Sequence, residues 1–111
     1  MSHVTENDFK HKALCLLNCN VHRIESESFL LRYHVHFRCS PLVCVCLWNQ
    51  MVDARMLIPQ AKPEHLLWTL LWMFLYESIV VITARIGCSH TTFQKYRDSI
   101  LYALSELDLV S

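Results

Sequence analysis

The chain has 111 residues, enough for one domain around one buried core and too few for two. Hydrophobic residues make up 53% and charged residues 18%, which excludes a disordered chain and requires a core, a partner surface or a membrane to take up the apolar area. Ten Lys and Arg balance ten Asp and Glu, so no net positive charge marks a nucleic-acid partner, and any DNA contact must come from local placement of side chains.

The chain holds one glycine, Gly87, where an average usage of roughly 7% would give about eight. Hairpin turns and phosphate-cradling loops both need glycine for positive backbone angles, so a β-rich fold or a nucleotide-binding loop is excluded and helices joined by polar turns remain. Residues 1–12 are polar and charged rather than a secretory signal. The six cysteines are therefore read as reduced thiols, and the expected compartment is nuclear or cytoplasmic.

Taken in chain order, residues 1–24 form a weakly ordered segment, in which the apolar run at 13–17 reads at most as a short helix with no clear second face. The helical domain then covers residues 25–111. Phe29, Leu30, Tyr33 and His36/Phe37 recur at helical spacing and predict an amphipathic helix over 25–36. Ser40 and Pro41 supply an N-cap and a first-turn proline for a helix over 42–52, whose buried stripe is expected to hold Val43, Leu47 and Met51. After a connector over 53–62, Pro63 and Glu64 start a third helix. Residues 66–76 of that helix are apolar on every side, which predicts a central, interfacial or lipid-embedded position. Glu77 and Ser78 interrupt it before 79–86 resumes. Phe93, Tyr96, Ile100, Ala103/Leu104 and Leu107 then mark a long amphipathic helix.

Residues 79–107 carry the parts of a helix-turn-helix in order: Ile82 and Ile86 as anchors, Gly87 in the turn, Cys88 inward, Ser89 as cap, Phe93 and Tyr96 as anchors. The expected fold class is thus all-α, a small bundle of four to five helices ending in a helix-turn-helix. In the DNA-binding use of such a motif the start of the second helix meets base edges, which selects His90, Thr91, Gln94 and Lys95, with Ser89 on a phosphate and Lys95 and Arg97 on guanine or phosphates. From residue 63 onward three basic residues face five acidic ones, so the expected DNA affinity is weak. A fainter copy of the pattern lies earlier in the chain. There Cys39-Ser40-Pro41 precedes a helix as Cys88-Ser89-His90 does, with Arg38 in the place of Gly87.

From Phe37 to Leu109 the chain resembles the region before the catalytic domain of DDE-superfamily transposases of the Harbinger and related insertion-sequence type. The resemblance rests on Ser40-Pro41, Leu47-Trp48, the run from Lys62-Pro63-Glu64-His65 through Leu71, Tyr76, and Thr92-Phe93-Gln94-Lys95-Tyr96. It implies a helical DNA-recognition or assembly region preceding a ribonuclease-H-like domain that uses three acidic residues and a divalent metal. The chain departs from that pattern in reading Phe93-Gln94-Lys95-Tyr96-Arg97 where a more basic, tryptophan-containing helix is usual, and in stopping before any catalytic domain. The expectation is a truncated, transposase-derived module that is not an enzyme and has no catalytic residue, cofactor or small-molecule substrate.

His34, His36, Cys39, Cys44 and Cys46 are zinc-ligand types, but Cys44 and Cys46 fall on opposite sides of a predicted helix, so no metal site is expected. Cys15, Cys19 and His22 form a still weaker set. Cys88 and His90 lack a third group to orient them as nucleophile and base. Two other readings compete with DNA binding. One is a single-pass membrane helix over 66–84, carrying one charge, Glu77. The other is an interaction fragment whose Trp68/Trp72 helix docks on another protein chain or on a second copy.

Overall fold

Among the described residues the hydroxyls of Ser40, Ser78 and Ser89 begin helices. Ser40 accepts a hydrogen bond from the Val43 N–H at 3.3 Å, Ser78 from Val81 at 3.3 Å and Ser89 from Thr92 at 3.1 Å, each satisfying a first-turn donor that the helix cannot. A computed structural model describes residues 3–17, 27–75 and 78–107, and all regular structure within them is helical. The helices are α1 (Glu6–Leu16), α2 (Glu27–Phe37), α3 (Pro41–Asp53), α4 (Pro63–Leu75), α5 (Ile79–Ile86) and α6 (His90–Glu106). Cys19, His22, Tyr76, Glu77, Asp108 and Leu109 lie outside the described residues. Among the described residues the all-helical expectation holds, with six helices in place of four or five.

The additional helix is α1, in the segment expected to be weakly ordered. Phe9, Ala13 and Leu16, four and three residues apart, give it the buried face that the 13–17 run alone does not reveal. It begins with Asp8 accepting the Thr5 backbone N–H at 2.8 Å, the reciprocal half of a capping box. The chain before it is tied to α3, where Asn49 accepts the Val4 N–H at 3.0 Å and donates to the Val4 carbonyl at 3.4 Å.

The stripe of α3 is a second correction. Cys44, Trp48 and Met51 are buried, whereas Val43 is 44% exposed and Leu47 half-buried. Burying the Trp48 ring removes far more apolar area from water than burying Val43, and that difference rotates the helix by one position.

α4 occupies the centre and packs against all five other helices. His65, Leu66, Leu67, Trp68, Thr69, Leu70 and Leu71 are all buried, so over these two turns the chain itself covers a helix apolar on every side, while Phe74 toward its end is exposed. The two polar groups in this run are satisfied locally. Thr69 donates its hydroxyl to the His65 carbonyl at 2.9 Å, and His65 accepts the Lys62 backbone N–H on Nδ1 at 2.9 Å. The stretch 66–84 is not one helix, because Ser78 is extended (φ −68°, ψ 157°) and caps α5. Among the described residues no helix is long and apolar enough to cross a membrane. Trp68 is buried and Trp72 half-buried against the core.

The α2–α3 and α5–α6 connections share one backbone plan. Arg38 has φ 61° and Gly87 φ 84°, each followed by a cysteine and a serine N-cap. The Arg38 N–H reaches the His34 carbonyl at 2.8 Å, as Gly87 reaches Thr83 at 2.8 Å; after each cap, Cys44 bonds to Ser40 at 3.2 Å and Phe93 to Ser89 at 3.0 Å. Tyr33, Cys44 and Met51 are buried in the first corner, and Ile82, Phe93 and Ile100 at the matching positions of the second. The early echo of the later pattern is therefore a repeat in backbone conformation, with arginine accepting the left-handed geometry that glycine takes more cheaply.

A Cβ added at Gly87 would meet no atom within 4 Å, so a substitution there is opposed by backbone strain alone. Gly87→Ala is expected to cost on the order of 1–2 kcal/mol in denaturant unfolding and Gly87→Asn less. Equal, negligible effects of the two would show that the left-handed turn is not held.

Candidate nucleic-acid interface

Residues 90, 91, 94 and 95 fall on one side of a helix, and residues 93, 96, 97 and 100 on the other. In α6 the second set faces α4. Phe93 and Ile100 are fully buried, and the Phe93 ring lies 6.2 Å from the Trp68 ring at 21°. Tyr96 stacks on the His65 imidazole with centroids 3.7 Å apart and planes 15° apart, and His65 in turn meets the Trp68 ring edge-on at 4.6 Å. These ring contacts fix the rotation of α6 about its axis, since offset and edge-on aromatic pairs hold only over a narrow range of orientation.

That rotation decides where the sequence-selected residues go. His90, Thr91, Gln94 and Lys95 are all exposed on the first two turns of α6, beside the Ser89 cap. Ser89 uses its hydroxyl within the helix: besides accepting from Thr92 N–H, it donates to Thr92 Oγ1 at 2.9 Å. The Lys95 ammonium lies 5.5 Å from the centre of the Tyr96 ring and carries the positive charge of this face.

Arg97 is turned away from the group in which the sequence placed it. Its guanidinium lies over the Trp72 ring at 4.7 Å and near Phe93 at 5.8 Å, and pairs with Asp98 at 3.0 Å, leaving its side chain only 14% exposed. The planar cation closes the edge of the α4–α6 seam, and its charge is neutralised there by Asp98.

Other chemistry weighed from the sequence does not assemble. Cys88 is half-buried, and burial pushes its thiol up, away from the thiolate a nucleophile needs. Of the zinc-ligand types, His34 and Cys46 are exposed and His36 bonds through Nδ1 to the Arg32 carbonyl at 2.8 Å. Among the described residues no three His, Cys, Asp or Glu side chains gather to hold a metal ion. No protein-family model, no curated protein and no solved structure matches the chain.

The residue that sequence reading missed is His65. It stands at the third position of α4, where glutamate or glutamine commonly closes a capping box, and it performs that task as a neutral imidazole accepting the Lys62 N–H. Burial, assisted by the Lys62 charge, pushes its pKa down to about 4. Between the ordinary value near 6.5 and 4, the unfolded chain takes up a proton that the folded chain refuses. Stability is therefore full above the higher value and falls as pH drops toward the lower, by about 2–3 kcal/mol from this residue. Denaturant unfolding across that pH range should show this loss, and His65→Gln, which keeps an acceptor without a titrating ring, should flatten it. An unchanged pH slope in the glutamine variant would remove His65 from the account.

Proposed function

We propose that the chain is a helix-turn-helix module of transposase type that binds DNA, or helps assemble a complex on it, and works by contact rather than catalysis. The observation that carries the reading is the division of α6 into two faces. One is fixed to α4 by Phe93, Tyr96 and Arg97, and the other presents His90, Thr91, Gln94 and Lys95 on the opening turns. A recognition helix needs both: a rigid mount and a row of polar side chains at its N-terminal end, where the backbone N–H groups also favour phosphate. Gln94 suits adenine and Lys95 suits guanine or a phosphate. The resemblance of residues 37–109 to the region before the catalytic domain of Harbinger-type transposases supports the same reading.

With Arg97 paired to Asp98, the charge offered to DNA comes mainly from Lys95, and binding is weak and sensitive to salt. Fluorescence anisotropy of the whole chain with a labelled duplex at low salt should give binding that falls as salt rises. Lys95→Ala should lower the slope of log K against log salt by about 1, and Gln94→Ala should cost on the order of 1–3 kcal/mol at a preferred site. Absence of binding at low salt, or a Lys95→Ala variant indistinguishable from the parent, would end this proposal.

A further inference from the structure

Cys39 and Cys44 were set aside as zinc ligands, yet the fold brings them together. Cys39 stands directly before the Ser40 cap of α3, and Cys44 lies one turn into the helix with its sulfur 3.5 Å from that of Cys39. The two thiols differ in surroundings. Cys44 is fully buried, whereas Cys39 is half-buried and in reach of solvent. A third group completes the set: the buried Tyr33 hydroxyl donates to the Cys44 sulfur at 3.1 Å.

The order of donors follows from this arrangement. Burial raises the Tyr33 hydroxyl, which therefore keeps its proton and donates it to Cys44. Cys44, accepting from Tyr33, can in turn donate its own S–H to Cys39 across the 3.5 Å contact. Its thiol is pushed up by the hydrogen bond to Cys39 and then by burial. The Cys39 thiol is lowered, chiefly by the hydrogen bond from Cys44, and the positive end of α3 acts in the same direction. The hydrogen bonds from Tyr33 through Cys44 thus favour the thiolate at Cys39, the less buried of the two cysteines.

We propose that Cys39 and Cys44 are a redox-active pair, Cys39 attacking and Cys44 resolving, that is oxidised by a low-molecular-weight disulfide to an intrachain bridge. The Cys39 thiolate attacks one sulfur of the oxidant, forming a mixed disulfide and releasing one thiolate. Cys44 then attacks the Cys39 sulfur while its proton passes to the departing thiolate, which leaves as the second thiol, so that no free thiolate forms at the buried sulfur. The two cysteines lose two electrons together and the oxidant becomes two thiols. To reach a bonded length of about 2.05 Å from 3.5 Å, the sulfurs must approach by roughly 1.5 Å. Oxidation removes the Cys44 proton from these hydrogen bonds and leaves Tyr33 facing a poorer acceptor, so the bridge is felt inside the α2–α3 corner.

The test uses the whole chain, fully reduced and then incubated with oxidised glutathione, with remaining thiols alkylated and the protein mapped by mass spectrometry. The parent should lose two hydrogens in a bridge joining Cys39 to Cys44. Cys44→Ser should stop at glutathione on Cys39, Cys39→Ser should leave Cys44 unmodified, and Tyr33→Phe should slow the first step without changing the product. The parent experiment needs no variant to fold. Glutathione persisting on Cys39 of the parent, a bridge to another cysteine, or glutathione on Cys44 when Cys39 is absent would each overturn the assignment.

Discussion

A helix apolar on every side can exist in water only when something covers each side, and in this chain α4 is covered by the five other helices. That requirement arranges the molecule. A side chain such as Leu66, Leu67 or Leu71, fully removed from water, contributes about 1.5–3 kcal/mol, so the packing of every other helix is decided by how well it seals this one. The cost of such a helix is its polar backbone ends and its two polar side chains. His65 meets the first by holding the Lys62 N–H, and Thr69 meets the second by bonding to the His65 carbonyl.

The same constraint positions α6. His65 presents a flat neutral ring at the surface of α4, and Tyr96 stacks on it, while Trp68 receives Phe93. Arg97 then covers Trp72 at the margin. Once these contacts are made, the opening turns of α6 have no freedom about the helix axis, and His90, Thr91, Gln94 and Lys95 face outward as a consequence of core packing. The link from sequence to proposed contact surface therefore runs through aromatic geometry in α4 rather than through the charge of α6. Near the other corner the same backbone plan serves different chemistry, because a cysteine, Cys44, stands where Phe93 stands in the later one.

Much of this was legible in the residues. The single glycine, the serines at 40, 78 and 89 and the prolines at 41 and 63 mark where helices begin and turn, because capping and backbone freedom are local properties. The burial of Phe93 and Ile100 followed from spacing. What spacing could not decide was the face of a helix rich in apolar residues: in α3, Val43, Cys44, Leu47 and Trp48 all qualify, and only the tertiary fit selects Cys44 and Trp48. Phe9 was overlooked because α1 is mostly polar, and its partners in the core are far away in sequence. Arg97 was grouped with the contact residues by type, whereas an arginine beside tryptophan and phenylalanine rings finds its better partner within the fold. His65 stands at the capping-box position of α4, but histidine is not the residue type that marks that position, and its stacking on Tyr96 needs α6 to be in place.

If α4 is the wall on which the rest is built, its backbone hydrogen bonds can open only when the whole domain unfolds. Amide hydrogen exchange resolved by residue measures this most directly. The amides of Leu66, Leu67, Leu70 and Leu71 should be the slowest in the chain, with exchange free energies equal to that of global unfolding. Exchange of these amides at the rate of the α1 amides, while another helix remains protected, would contradict the central place given to α4.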